Sequence, residues 1–164
     1  MRAINPATGQ LIQDYHIHSA DELEMIIDQT HETWKTWKQT TFKKRSELMH
    51  RVAVILRENK DEYARLMTLE MGKIIKEARA EIEKCAWVCE YYADNAPAFL
   101  ADDLVETNAS KSFIAYEPLG IVLAVMPWNF PFWQVFRFAA PALMAGNTGV
   151  LYHASNLPAC ALAI

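Results

Sequence analysis

The sequence predicts an α/β protein in which a helical amino-terminal part precedes the first βαβ unit of a parallel sheet. Two observations support this prediction. Charged residues are spread through the first 117 positions in helix-like patterns, whereas from Pro118 to the end Arg137 is the only fully charged side chain. Within that uncharged part, a β-branched apolar run at 120–126 and a strand pattern at 149–153 flank a helical pattern at 132–145. A parallel strand, helix and strand in this order should form a right-handed crossover.

The amino-terminal part contains four helical patterns. Ser19 and Glu22 have the spacing of a capping box, which predicts the start of a helix with a core-facing apolar stripe. That stripe consists of Leu23, Ile26, Ile27, Thr30, Trp34 and Trp37. The same periodicity predicts three further helices, at 43–59, at 61–71 before Gly72, and from about Lys73 to a stop before Pro97.

Short strands are predicted on both sides of these helices. The turn residues at 5–9 are followed by an alternating segment at 11–17, and a second alternating segment covers 110–117. The chain is therefore divided into an amino-terminal helical part, a strand region and the first βαβ unit of the parallel sheet. These three parts cover 1–103, 104–118 and 119–164.

The end of the sequence has the pattern of a helix that has only begun. Ser155 is placed as an N-cap, with Pro158 in the first helical turn, but the sequence stops at Ile164. A two-stranded parallel sheet would have an open apolar edge and only part of its covering helix. We therefore expect the sequence to be an incomplete piece of a larger protein.

Composition excludes several classes of protein. A net charge of -4 and a pI near 5.7 leave no basic face for nucleic acid. Residues 1–9 have no secretory pattern, which predicts a cytoplasmic protein. The apolar carboxyl-terminal part is interrupted too often by proline and polar residues to span a membrane.

The cysteines are not predicted to carry chemistry. Cys85 and Cys89 lie four apart in a helical pattern and are expected to be reduced, semi-buried packing residues. Cys160 is also expected to pack in the last helix. Cys85 and Cys89 have no recognisable metal-ligand spacing with His31 or His50, so no metal site is predicted.

The candidate chemistry lies in the turn after the first buried strand. Ligands bind at the carboxyl ends of parallel strands, and Pro127 and Pro131 hold Asn129 between them in a rigid turn. A fixed amide donor there could stabilise a developing oxyanion. From the spacing alone, the simpler interpretation is that Asn129 caps the following helix.

Seven short segments form a recognisable pattern in order and spacing: Asn5-Pro6-Ala7-Thr8-Gly9, Glu70-Met71-Gly72-Lys73, Glu117-Pro118-Leu119-Gly120, Pro127-Trp128-Asn129-Phe130-Pro131, Pro141-Ala142-Leu143, Gly146-Asn147 and His153-Ala154-Ser155-Asn156. These segments resemble the aldehyde dehydrogenase superfamily, most closely the bacterial succinate-semialdehyde dehydrogenases. The resemblance implies a thiohemiacetal mechanism with NAD or NADP, in which Asn129 is catalytic and steadies the oxyanion. The nucleophilic cysteine and the base glutamate are expected beyond Ile164.

The resemblance implies that 1–103 are the helical part of the coenzyme domain, that 104–118 hold a strand of the oligomerisation region, and that 119–164 are the truncated first βαβ of the NAD(P)-binding domain. It also implies binding residues. The expected coenzyme-binding positions are Val125, Met126, Pro127, Trp128, Asn129, Tyr152, His153, Ala154 and Ser155. Tyr152 stands where the family usually has a lysine, and a phenol supplies no positive charge for a 2′-phosphate, so NAD is favoured. Arg137 is expected to be buried and to bind the substrate carboxylate, or alternatively to snorkel or pair with a structural carboxylate. Phe130 and Trp133 would line the aldehyde channel, although aromatic residues at this spacing are as readily core.

The resemblance implies an enzyme that oxidises a small aldehyde with a distal carboxylate, such as succinate semialdehyde, and that forms homo-oligomers when complete. This chain alone is expected to be inactive, with no nucleic-acid or membrane partner. Two alternatives remain open. One is a non-catalytic remnant or association partner of an aldehyde dehydrogenase. The other is a soluble helical binding module formed by 1–100.

Overall fold

The computed structural model describes residues 1–164, which form six helices and six strands. The helices are α1 (Ala20–Trp37), α2 (Phe42–Glu58), α3 (Lys60–Met71), α4 (Ile75–Phe99), α5 (Trp133–Met144) and α6 (Pro158–Ala163). The strands are β1 (Arg2–Ile4), β2 (Leu11–Asp14), β3 (Asp103–Leu104), β4 (Phe113–Ile114), β5 (Ile121–Val125) and β6 (Thr148–Tyr152).

The strands form three separate two-stranded sheets. The β1–β2 and β3–β4 pairs are antiparallel, whereas β5 and β6 are parallel and are joined by α5. The β5–β6 register runs from Ile121 opposite Thr148 to Val125 opposite Tyr152. The predicted α/β class and the βαβ unit are therefore confirmed.

The main core lies among the helices. Nineteen buried residues form one cluster, to which α2, α3, α4, α5 and α6 contribute. Helix α4 occupies the centre of this cluster, and many of its buried side chains are small, including Ala78, Cys85, Ala86 and Cys89. Small side chains allow neighbouring helices to approach closely. The parallel strands are attached to this core through α5.

Helix α1 differs from the predicted core-facing helix. Its capping box is present, since Glu22 N donates to Ser19 Oγ and Ser19 N donates to the Glu22 carboxylate. No residue of α1 is fully buried, however, and Leu23 and Ile27 are 47% and 44% exposed. The reason is that α1 packs against β5 and β6, outside the main helical core.

Helix α4 continues through Pro97, contrary to the predicted stop before it. Proline has no N–H to donate to the carbonyl four residues earlier, which is that of Ala93. The Ser46 hydroxyl donates to the Ala93 carbonyl at 2.6 Å instead. The backbone oxygen that proline would leave without a partner is thus satisfied by α2, and the helix ends two residues later.

The short strands depart most from the sequence predictions. Strand β1 was not predicted, and it closes a hairpin with β2 around a turn in which Gly9 has a φ of 70°. The predicted strands at 11–17 and 110–117 are reduced to β2 and β4, since each pairs with a partner only three or two residues long. No helix combines the length and apolar character needed to cross a bilayer.

Candidate active site

Two turns lie side by side at the carboxyl ends of β5 and β6. Because Val125 and Tyr152 are partners in the parallel ladder, the residues that follow them leave the sheet at the same edge. Met126 N extends this pairing by donating to the Tyr152 carbonyl at 3.0 Å. Ligands of α/β proteins bind at such an edge, so the structure brings the candidate residues at 125–131 and 152–155 together.

Asn129 lies exposed in the turn that follows β5, and its side-chain amide makes no hydrogen bond to the protein. The N-cap position of α5 is Phe132, which cannot cap through its side chain. The interpretation of Asn129 as the cap of this helix is therefore wrong. Its carboxamide is free to meet a ligand at the edge of the sheet.

The cap of α5 comes from α4. Glu81 Oε1 accepts hydrogen bonds from the backbone N–H groups of Phe132 at 3.0 Å and Trp133 at 2.9 Å. The Glu81 side chain is only 2% exposed and forms an ion pair with Lys73. The Lys73 ammonium also donates to the Asn129 carbonyl at 3.3 Å and lies 3.8 Å from the centre of the Phe130 ring. Neither Glu81 nor Lys73 was predicted from the sequence to act at this turn.

His153 links the two turns. Its Nε2 lies 2.9 Å from the Pro131 carbonyl, and its Nδ1 lies 2.8 Å from Ala154 N. A carbonyl can only accept and a backbone N–H can only donate, so these partners assign the neutral Nε2–H tautomer. His153 was predicted to bind the coenzyme, and here its ring joins the backbone segments of both turns.

A second buried carboxylate holds the start of α6. The two oxygens of Glu70 accept from Ala159 N at 2.8 Å and from Cys160 N at 2.9 Å. The predicted N-cap at Ser155 is wrong, because the helix begins after Leu157 and no nearby side chain caps it. Glu70, which is 3% exposed, supplies the missing acceptors from α3.

The remaining coenzyme candidates form an exposed, uncharged edge. Val125, Trp128 and Tyr152 are 63%, 55% and 67% exposed. Met126, Pro127, Ala154 and Ser155 lie between them on the same two segments and are half-buried or exposed. Residues 118–164 contain no carboxylate side chain, so this edge is compatible with a phosphate-bearing ligand.

The substrate candidates lie along the start of α5. Phe130 is 44% exposed, whereas Trp133 is half-buried with the Lys84 ammonium 3.8 Å from the centre of its ring. Arg137 lies one helical turn after Trp133 and therefore on the same face of α5. Contrary to the expectation of a buried guanidinium, Arg137 is exposed and has no carboxylate within ion-pair distance.

All three cysteines are free and buried. Cys85 and Cys89 are therefore more deeply buried than the semi-buried positions predicted for them. Burial raises the pKa of all three thiols, that of Cys89 to about 12. A thiol becomes a good nucleophile only as the thiolate, so these environments do not suit a catalytic cysteine.

One cluster of potential metal ligands lies outside this edge. His16, His18 and Glu22 have ligand atoms within 4.8 Å of one another at the start of α1. This group was not predicted from the sequence. The carboxylate of Glu22 already accepts from Ser19 N and lies 2.9 Å from His16 Nε2, so the cluster is accounted for as part of the helix cap.

A parallel βαβ unit with exposed polar and aromatic groups beyond its strand ends defines an α/β protein with a candidate ligand-binding edge. The aldehyde dehydrogenase family model matches residues 1–164, and the chain belongs to that family.

Similar proteins agree with this assignment. The chain is 59% identical to a protein of Synechocystis sp. named probable succinate-semialdehyde dehydrogenase (NADP(+)), over 98% of this chain and 36% of the relative. It is 49% identical to succinate-semialdehyde dehydrogenase (NADP(+)) 1 of Mycobacterium tuberculosis, over 97% of this chain and 35% of that protein. The chain thus spans about a third of the length of these relatives.

A solved structure shows the same fold. The succinic semialdehyde dehydrogenase of Streptococcus pyogenes in complex with NADP+ superposes with a TM-score of 0.94 at 36% identity. The match covers 99% of this chain and 36% of that structure.

Proposed function

We propose that the protein containing this chain oxidises an aldehyde to the carboxylic acid with a nicotinamide coenzyme. The observation that carries this proposal is the free carboxamide of Asn129 at the carboxyl edge of the parallel strands. Because Glu81 caps α5, the Asn129 amide has no structural task within this chain. A donor held there can stabilise negative charge that develops on the aldehyde oxygen.

The chain would contribute binding and charge stabilisation. The residues at 125–128 and 152–155 would hold the coenzyme, which supplies the hydride acceptor when bound. Asn129 would donate its side-chain N–H to the aldehyde oxygen. The nucleophile that forms the thiohemiacetal and the general base are proposed to be a cysteine and a glutamate outside these residues, since the thiols here are buried.

NADP is the coenzyme we propose. The preference for NAD inferred from Tyr152 is not supported, because the relatives from Synechocystis and Mycobacterium have NADP(+) in their names. The neighbour from Streptococcus pyogenes is in complex with NADP+. The uncharged Ser155 and the absence of carboxylates at 118–164 avoid repulsion of a 2′-phosphate.

The proposed substrate carries a second carboxylate, as in succinate semialdehyde. Support comes from the names of the relatives and from the exposed, unpaired guanidinium of Arg137. Arginine recognises carboxylate through two parallel hydrogen bonds. Phe130 and Trp133 would form the apolar wall of the aldehyde channel.

The complete protein offers a direct test. Purified enzyme should form NADPH from NADP and succinate semialdehyde, and Asn129→Ala should lower kcat by about 100-fold or more, the usual effect of losing one oxyanion donor. Gln39→Ala, at an exposed carboxamide between α1 and α2 whose side chain makes no hydrogen bond, serves as the control. Equal kcat values for the two variants would refute the oxyanion role.

Substrate selection has its own test. Arg137→Leu should raise KM for succinate semialdehyde by at least about tenfold, as expected for the loss of a charged hydrogen-bond partner. KM for an uncharged aldehyde of equal length should change little. Equal effects on both aldehydes would remove the substrate role of Arg137.

The strand region at 104–118 is proposed to take part in a homo-oligomer. Leu104 and Ile114 in the paired strands are 77% and 54% exposed, which leaves apolar surface available for a partner subunit. Light scattering on the complete protein should give a mass above that of one chain, and Leu104→Lys should reduce it. A monomeric wild-type protein would contradict the proposal.

A further inference from the structure

We propose that Glu81 and Lys73 are positioning residues that determine where the Asn129 carboxamide stands. This inference rests on the proposed function. It concerns two side chains of the helical part, of which Lys73 contacts the backbone of Asn129 and the ring of Phe130 and Glu81 contacts the backbone of Phe132 and Trp133. They act through the backbone on either side of Asn129.

The start of α5 depends on hydrogen-bond acceptors from another helix. The first N–H groups of a helix need acceptors from outside the helix. Phe132 at the N-cap position cannot accept them, and Asn129 does not. The single oxygen Glu81 Oε1 accepts from both Phe132 N and Trp133 N, which fixes the backbone immediately after the turn. The negative charge also lies at the positive end of the α5 dipole.

Lys73 contacts the turn itself. Its ammonium is bound to Glu81, donates to the Asn129 carbonyl and lies over the Phe130 ring. Lys73 follows Gly72, whose φ of 74° ends α3 and directs the chain toward α4. The two charged side chains therefore hold residues 129 to 133 at both ends of the turn.

The ion pair between Lys73 and Glu81 serves geometry more than stability. A buried ion pair is weak evidence for added stability, because removing two charges from water offsets much of their attraction. An apolar pair of similar size would leave the N–H groups of Phe132 and Trp133 without acceptors. The benefit of Lys73 and Glu81 is thus a defined geometry around Asn129, which preorganised oxyanion stabilisation requires.

The backbone contact can be measured without any assay of activity. Amide hydrogen exchange of the complete protein should show slow exchange at Phe132 and Trp133, with about 100-fold faster exchange in Glu81→Leu, as expected for a lost buried acceptor. Glu77→Leu, at an exposed carboxylate of the same helix with no hydrogen bond, is the matched control. Unchanged exchange in Glu81→Leu would overturn the proposal.

Kinetics of the complete enzyme test the positioning itself. Glu81→Gln keeps Oε1 as an acceptor but turns an NH2 group toward the Lys73 ammonium, which should displace the turn. We expect kcat per folded enzyme to fall about 100-fold, a typical effect of misplacing a catalytic group by 1 Å, with KM for NADP within about threefold. Adding Lys73→Met removes the clash and should recover at least about tenfold of the lost kcat. A kcat in Glu81→Gln equal to that in Glu77→Gln would overturn the positioning role.

The two experiments separate the inference from the proposed function. If the wild-type enzyme oxidises no aldehyde, the proposed function fails, while hydrogen exchange still decides whether Glu81 fixes the turn. If the wild type is active and both Glu81 variants behave as their Glu77 controls, the function stands and the positioning role fails.

Discussion

Arg45 offers a sharp test of how the helical part is joined to the βαβ unit. It is 6% exposed, and its guanidinium has no carboxylate partner. It donates instead to the Thr40 hydroxyl at 2.9 Å, to the Met144 carbonyl at 3.0 Å, and to the carbonyls of Trp37 and Lys38 at 3.3 and 3.0 Å. Burial lowers the pKa of this group, which nevertheless stays charged near neutrality. We consider the substitution Arg45→Met.

The expected loss follows from these bonds. Four hydrogen bonds at a net contribution of about 1 kcal/mol each give about 4 kcal/mol. Relief of the desolvation of an unpaired charge reduces that sum, whereas the orphaned Met144 carbonyl at the end of α5 adds to it. We expect Arg45→Met to destabilise the protein by about 3 kcal/mol, and Arg45→Lys by less, since lysine keeps a charge but lacks the planar fork.

Urea unfolding followed by tryptophan fluorescence would measure the effect. With a urea slope of about 2 kcal/mol per molar, the midpoint should fall by about 1.5 M. Arg51→Met on the same helix, at an exposed arginine without an ion pair, is the control and should shift it little. If the two variants unfold at the same urea concentration, the proposed role of Arg45 in joining the two parts is refuted.

Three further outcomes are expected. Gly146→Ala should destabilise more than Gly9→Ala, which itself costs about 1 kcal/mol, because a Cβ on Gly146 would meet Arg45 at 3.0 Å whereas Gly9 has open space; equal urea midpoints would contradict this. The Ser19 backbone N–H and then His16 lower the pKa of Glu22 to about 2, so the stability from its ionised form is complete above the ordinary 4.5 and lost as pH falls through about 2. A carbon NMR titration midpoint near 4.5 would exclude that. The three cysteines should resist iodoacetamide at about pH 8 until the protein is unfolded, and alkylation of the folded protein would show that they are not buried thiols.

Locally encoded features could be predicted from the sequence. The capping box of Ser19 and Glu22 and the end of α3 at Gly72 each depend on residues within one turn, and both are present. The βαβ unit was also predictable, because its two apolar strands and the intervening helical pattern follow one another directly. The turn around Asn129 was predictable from Pro127 and Pro131 after the first buried strand, whereas the spacing favoured a helix-capping role for Asn129 that the structure contradicts.

Features that depend on distant partners could not be predicted. Asn129 and Ser155 have the residue types of helix caps, but acceptors from Glu81 and Glu70 occupy those roles. A proline normally ends a helix. Helix α4 continues through Pro97 because the Ser46 hydroxyl on α2 donates to the carbonyl that Pro97 leaves without a donor. Nothing in the local sequence reports that a side chain 47 to 90 positions away will supply an acceptor or a donor.

The capping of α5 and α6 by carboxylates from α3 and α4 also bears on the order of folding. The hydrogen bonds span 51 to 90 residues, so closing them requires a large loss of chain entropy before any gain is made. The α3–α4 hairpin, with its local contacts, should therefore assemble before the first turns of α5 and α6 become ordered. In a chain synthesised from its amino terminus, Glu70 and Glu81 would already be in place when the first turns of α5 and α6 emerge.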